Sequence, residues 1–233
     1  MKNLYYSVIV ILLGCFITQM NGQTAKIAVA LKTQGEVLYK HADEDKFNKD
    51  VETGTIFQNG DVISTDKDGY AVLVFIDDKS QLTIHENSNF VITRQEENSH
   101  ILKRVSMEYG KLKATIQKQK DDEFIISTPT SVAAVKGTIF WVISDPKEGD
   151  QFYGIEGLIE IRNILSNRVL TLQKMEKSTS TPDGGLEKEK IEDEDVPGTT
   201  YQDQNGAGEE KVLRLRYKNK EGKIKHLEII YEE

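Results

Sequence analysis

The chain has 233 residues, of which 38% are hydrophobic and 29% charged, and a formal net charge of -8. That balance excludes a general nucleic-acid binder, which needs a basic face, and fits one large or two small soluble domains. Cys15 is the only cysteine, so once a leader is removed, disulfides, thiolate zinc sites and a cysteine nucleophile are excluded together.

The first predicted element is that leader. "MKN" supplies a basic residue and "LYYSVIVILLGCFIT" follows as an apolar run. The run is shorter than the roughly 20 residues of a membrane span and has the length of a secretory h-region. Cleavage after Gly22 makes residues 1–22 a signal peptide and leaves no membrane span in the mature chain. The alternative is "LLGC", Leu12 to Cys15, which resembles a lipobox with Cys15 lipidated, although Phe16 and Ile17 continue the apolar run. Both readings imply export, to the periplasm or cell envelope, and a retained anchor is the third alternative for this segment.

Residues 26–175 read as short apolar segments punctuated by turns about every ten residues. "GEVLYK", "TIFQNGDVIST", "YAVLVFI", "QLTIH", "FVITRQ", "ILKRVSMEYG", "KLKATIQ", "EFIIS", "TIFWVIS", "QFYGIEG", "LIEIRN" and "RVLTLQ" follow one another. Many alternate with period two: Leu82 with Ile84, and Leu112 with Ala114 and Ile116. Turn spacing of 8–12 residues and β-branched enrichment predict an all-β chain, a single β-sandwich or β-roll-like domain of many short antiparallel strands. "YAVLVFI" and "TIFWVI" are apolar on both faces, which predicts central strands covered on both sides or crossing between layers.

After Gln173 the composition turns polar. Residues 176–210, with "LEKEKIEDEDVPGTTYQDQNGAGEE", read as an acidic flexible linker that cannot bury enough surface to offset its chain entropy. Residues 211–233 return to strand alternation, Leu213–Leu215–Tyr217 and Leu227–Ile229–Tyr231, around a loop containing Gly222. This is a C-terminal β-hairpin, and a lone hairpin is marginal in water, so docking on the domain or on a partner is expected.

Several steps invite a chemical reading. Asp66-x-Asp68-Gly69 resembles the start of a calcium loop, with Asp77-Asp78 as further oxygens, but lacks the closing ligands and reads as a tight turn with Gly69 at positive φ. His41, His85, His100 and His226 are scattered in polar surroundings without metal-ligand spacing, and His85 reads as a surface residue. Lys136-Gly137-Thr138 matches only the end of a phosphate loop, lacks the earlier glycine and precedes a strand instead of a helix. Glu156 and Glu160 read as one face of one strand, about 13 Å apart at about 3.3 Å per residue, too far for a glycosidase pair. Phe140 and Trp141 read as core, and Tyr153, Tyr217 and Tyr231 as exposed contact candidates. "KQK", Lys118 to Lys120, reads as a solvated hairpin tip. No catalytic set, metal site or cofactor emerges.

The ordered motifs resemble the FecR domain family. They run Gly35-Glu36-Val37; Gly54, Gly60-Asp61, Ile63 and Thr65; Gly69, Ala71, Leu73, Phe75 and Asp77; Leu82, Ile84 and Ser88; Gly110 and Leu112; Phe124, Ile126 and Thr128-Pro129; Val132, Gly137-Thr138, Phe140 and Val142; then Gly157, Ile159, Glu160 and Ile161. The resemblance covers about Leu31 to Gln173. It marks Gly60, Asp61, Gly69, Thr128, Pro129, Gly137, Thr138 and Gly157 as structural motif residues. It implies an exported, non-enzymatic β domain that binds another envelope protein or relays a signal. The family's inner-membrane regulators carry a cytoplasmic segment that acts on a sigma factor. Only "MKN" precedes the apolar run here, so the expectation is the envelope domain without that segment. The alternative is a structural or adhesive surface protein binding peptidoglycan or another glycan.

Overall fold

The computed structural model describes residues 25–97, 100–119, 122–198, 210–218 and 223–232. The expected signal peptide, Cys15, residues 199–209 of the expected linker and residues 219–222 lie outside the described residues. Among the described residues there is no α-helix, and no helix long and apolar enough to cross a membrane.

The strands, in order, are β1 (Lys26–Gln34), β2 (Val37–Lys40), β3 (Lys49–Asp50), β4 (Ile56–Gln58), β5 (Val62–Thr65), β6 (Tyr70–Phe75), β7 (Gln81–Ile84) and β8 (Ser88–Glu97). Then follow β9 (His100–Thr115), β10 (Glu123–Ser127), β11 (Ser131–Val135), β12 (Ile139–Asp145), β13 (Gly149–Glu156), β14 (Ile159–Asn163), β15 (Val169–Leu172), β16 (Glu176–Ser180) and β17 (Leu186–Lys190). They pair as two sheets. Sheet A runs β4-β1-β6-β7-β9-β12-β13-β16-β17. Sheet B runs β3-β2-β5-β8-β9-β10-β11-β14-β15. The chain shuttles between them in hairpins, and β9 belongs to both.

The sharing of β9 has a local cause. Its first part pairs with β8 in sheet B, up to Tyr109, and its last part with β7 and β12 in sheet A. Gly110, at φ +122, is the bend. A Cβ there would lie 2.2 Å from the Ser88 hydroxyl oxygen, so only glycine lets the strand pass from one layer to the other. All strand pairs in the sandwich are antiparallel except β9–β10, which is parallel, a departure from the antiparallel expectation. It arises because the chain crosses to sheet A at the end of β9 and returns to sheet B beside its start.

The core lies between the sheets. Alternate residues of β6 (Ala71, Leu73, Phe75), β7 (Leu82, Ile84), β12 (Phe140, Val142) and β14 (Ile159, Ile161) all enter it. The strands apolar on both faces are buried on both: Val74 joins Val29 and Leu31 in a second cluster on the far face of sheet A. Trp141 joins Tyr153 and Val196 in a third.

Residues 176–190 are not linker. They form the β16–β17 hairpin, paired Glu176↔Lys190 through Ser180↔Leu186, and a single-turn 3-10 helix, η1 (Asp193–Asp195), follows. The acidic composition concealed this because β17 is an edge strand that buries only Leu186. Its Glu187, Lys188, Glu189 and Lys190 stay in solvent, where charge protects an open edge. The C-terminal hairpin is β18 (Glu210–Lys218) and β19 (Ile224–Glu232), paired Glu210↔Glu232 through Lys218↔Ile224 as a separate two-stranded sheet.

Candidate functional site

Gly60 and Asp61 build the turn into β5. Gly60 has φ +90. Asp61, 1% exposed, accepts the Gln58 N–H at 2.8 Å and contacts His41 Nδ1 at 2.7 Å. Asp61 therefore ties the β2–β3 loop to the β4–β5 turn. Gly69 is not at positive φ, contrary to expectation. It is required for space, since a Cβ would sit 2.4 Å from the Glu36 carbonyl oxygen. The Asp66 carbonyl accepts the Gly69 and Asn87 N–H groups, so this turn is fastened to its neighbours by backbone. Asp77 and Asp78 do not join it. Both pair with Lys103, and no group of three potential metal ligands occurs among the described residues.

Lys103 is fully buried and also lies over the Phe75 ring. Gln119 donates to Asp78 at 2.6 Å, so it turns inward from the segment read as a solvated tip. Burial alone would raise the Asp78 carboxyl, but hydrogen bonds from Lys103, the Ser80 N–H and Gln119 bring it below its ordinary range.

Thr128 and Pro129 make the β10–β11 turn. The Thr128 N–H donates to the Ser131 carbonyl and the Ser131 N–H to Thr128 Oγ1, both at 2.9 Å. Pro129 has no N–H to lose there. The Thr128 hydroxyl is also closely hydrogen-bonded to Asp150, whose other oxygen accepts from Ser144 Oγ at 2.7 Å. Asp150 is fully buried with no cation in this set. Burial raises its carboxyl, opposed by the hydrogen bonds of Thr128, Ser144 and Ser131. Asn163 continues the polar seam, donating to Ser180 Oγ at 2.9 Å. Sequence reading missed Asp150, which follows "KEG". Its only signal is an acid one step inside a strand.

Gly137, Thr138 and Gly157 form the crossovers between the sheets. Lys136-Gly137-Thr138 carries the chain from β11 in sheet B to β12 in sheet A, and Gly157-Leu158 returns it from β13 to β14. The Thr138 carbonyl accepts the Ile116 N–H at 2.9 Å, and Lys136 is exposed. A strand follows Gly137-Thr138, not the helix N-terminus of a phosphate loop. The same return separates Glu156 and Glu160, which lie on different strands of different sheets, not on one strand as expected.

Two further placements differ from the sequence reading. Tyr153 is only 7% exposed. His85 lies tilted against Trp141, centroids 4.7 Å apart and planes at 39°, with Tyr70 edge-on at 5.5 Å. The side chains of Tyr217 and Tyr231 lie outside the described residues. Exposed apolar side chains gather at the tip of the β14–β15 hairpin: Ile164 (47%), Leu165 (66%) and Val169 (53%).

Asp61, Lys103, Asp150 and Asn163 each bind other parts of the chain.

Residues 61–152 match the family described as "FecR protein", so the resemblance read from the sequence is borne out over those residues. No curated protein matches the chain. Two crystal structures of a candidate anti-sigma factor from Parabacteroides distasonis ATCC 8503, at 2.50 and 1.65 Å resolution, are similar to it. Their identities are 18% and 20% and their TM-scores 0.48 and 0.47. Each likeness covers 56% of this chain and 60% of the other. Likenesses of that size say nothing of function.

Proposed function

We propose that this chain is a non-enzymatic, protein-binding signal-relay module of the bacterial cell envelope. The match of residues 61–152 to the FecR family carries the reading, since the family is regulatory in character. The apolar leader of Leu4 to Thr18 supports export. Asp61, Lys103, Asp150 and Asn163 support a binding module, because these buried groups bind other parts of the chain and serve the fold. The exposed cluster Ile164, Leu165 and Val169 supports a protein partner, because apolar side chains gathered at one tip mark interaction surfaces. β18 and β19 supply a second contact element.

The test is affinity capture from native envelopes by three proteins: the full chain, the full chain with Leu165→Asp and Val169→Asp, and the chain lacking Lys211 to Glu233. A specific envelope protein retained by the first and lost by at least one of the others is expected. Retention of the same proteins by all three overturns the assigned surfaces. Sedimentation of the full chain with purified peptidoglycan, with no protein captured, overturns the protein-binding reading.

A further inference from the structure

The outer face of sheet A carries a row of four side chains in register. Lys113 on β9 is opposite Trp141 on β12, Trp141 is opposite Tyr153 on β13, and Tyr153 is opposite Lys177 on β16. Residues directly opposite in a sheet present their side chains to the same face. The row is therefore an aromatic floor with a lysine at each end, widened by Ile143 and Ile155. Lys177 Nζ lies 5.5 Å over the Tyr153 ring.

This floor is covered, and its cover belongs to the chain. After β17 ends at Lys190, residues 191–198 fold back over it. Ile191 and Val196 pack on Trp141 and Tyr153, leaving these 5% and 7% exposed. Gly198, at φ +89, lies so close that a Cβ would be 2.8 Å from the Trp141 ring. Between the two aliphatic anchors stand Glu192, Asp193, Glu194 and Asp195, all exposed.

The cover is lightly held. The Ile191 N–H donates to the Met175 carbonyl at 3.1 Å. Three of the bonds that follow are local: Asp195 N–H to Glu192 carbonyl, Val196 N–H to Asp193 carbonyl, and Glu192 N–H to Asp195 Oδ2. Strand pairing has already stopped, four consecutive carboxylates repel one another, and the contacts of Ile191, Val196 and Gly198 with the aromatic floor work against the ordering entropy of the segment.

We propose that residues 191–198 are a displaceable strap, and that the seat beneath takes a partner segment of the same chemistry: an acidic extended peptide with branched aliphatic anchors. Aromatic floor and flanking lysines match those two features, and the strap is an internal instance of the ligand. This rests on the reading of the chain as a protein-binding module, but its test does not require the envelope partner.

Trp141 is the only tryptophan of the chain, so its emission reports the seat. In the full chain carrying Ile191→Ser and Val196→Ser, emission should move to the red and acrylamide quenching should rise several-fold, with circular dichroism unchanged. The synthetic peptide KIEDEDVPG, the sequence of residues 190–198, should reverse both effects in that variant and leave the unsubstituted chain unaffected. A peptide with lysines in place of the four acids should bind at least tenfold more weakly. Unaltered emission in a folded variant, or no response to KIEDEDVPG, overturns the proposal. If the variant unfolds, hydrogen exchange on the unsubstituted chain decides: amides of 191–198 should exchange at least a hundredfold faster than those of Trp141 and Val142, and equal rates overturn it. Envelope capture can fail while the peptide binds, and the converse, so the two readings fall separately.

Discussion

Gly157 rests on the carbonyl of Gly137. A Cβ built at Gly157 would lie 2.6 Å from that oxygen and 2.7 Å from the Thr138 methyl, and both glycines have positive φ, +82 and +91. The two points where the chain passes between the sheets are thus stacked on each other without side chains between them.

The first prediction concerns this crossing. Gly157→Ala adds left-handed strain of about 1–2 kcal/mol to a backbone clash that cannot be relieved by rotating a side chain. Its cost should exceed about 2 kcal/mol in urea unfolding. Gly137→Val should be comparably severe, because its Cβ would meet Lys118 at 2.9–3.0 Å and β-branched residues tolerate positive φ least. Lys136→Ala, at the exposed position just before Gly137, should stay within about 0.5 kcal/mol. A Gly157→Ala chain with an unshifted midpoint would contradict the packing account.

The second prediction is the pH behaviour of Asp150. Its folded-state carboxyl is raised, chiefly by burial. The folded chain therefore holds that proton more tightly than the unfolded chain. The resulting stability is fully present below the unfolded carboxyl range and is lost as pH rises through the folded value. Asp78, Glu86 and Glu176 are lowered and act in the opposite sense, losing stability as pH falls. The difference between Asp150→Asn and the unsubstituted chain isolates the first effect. The variant should gain relative stability with rising pH across the acid range, by a few degrees, given about 2–4 °C per kcal/mol in a domain of this size. Parallel melting curves at all pH values would remove Asp150 from the account.

The third prediction uses the asymmetry of a buried ion pair. Replacing both Asp77 and Asp78 by Ala leaves Lys103, fully buried, without its carboxylates, a loss of about 3–5 kcal/mol. Lys103→Met leaves two carboxylates whose side chains are 26% and 21% exposed and so still reach water. It should cost distinctly less. Equal losses, measured by urea unfolding, would mean that Lys103 finds other partners.

Much of this fold was legible because its strands alternate. Leu82 and Ile84, Leu112 and Ala114, and Ile159 and Ile161 each put one face into the core, and period two shows that directly. The crossing at Lys136-Gly137-Thr138 was legible from glycine and small residues. What stayed hidden depends on neighbours distant in sequence. "LEKEK" reads as linker because an edge strand needs only Leu186 inside. Asp150 gives no signal of burial because the hydroxyls that enclose it come from elsewhere in the chain, Thr128 from the β10–β11 turn and Ser144 from β12. Tyr153 reads as exposed because its cover, Ile191 and Val196, lies in a segment that looks too acidic to pack. Gly69 was recognised as necessary, but for the wrong reason: the Glu36 carbonyl takes the space, and only pairing of the two turns brings it there.

The fourth prediction follows from His85 and Trp141. Burial lowers the imidazole, with Lys111 and Lys113 acting in the same direction and Glu86 opposing. The folded chain therefore resists protonating His85 more than the unfolded chain does. Its contribution to stability is complete above the unfolded histidine range, about pH 6.5, and falls as pH drops below it. The ring lies 4.7 Å from Trp141, and Nε2 is buried without a partner among the described residues, so imidazolium has no acceptor at hand. Trp141 emission should accordingly change in one step below pH 6.5, while circular dichroism stays constant. His85→Gln should abolish that step and His100→Gln should preserve it. A step that survives His85→Gln would show that the emission responds to the acidic strap and not to the imidazole. A step centred above pH 6.5 would contradict burial as the dominant influence on this histidine.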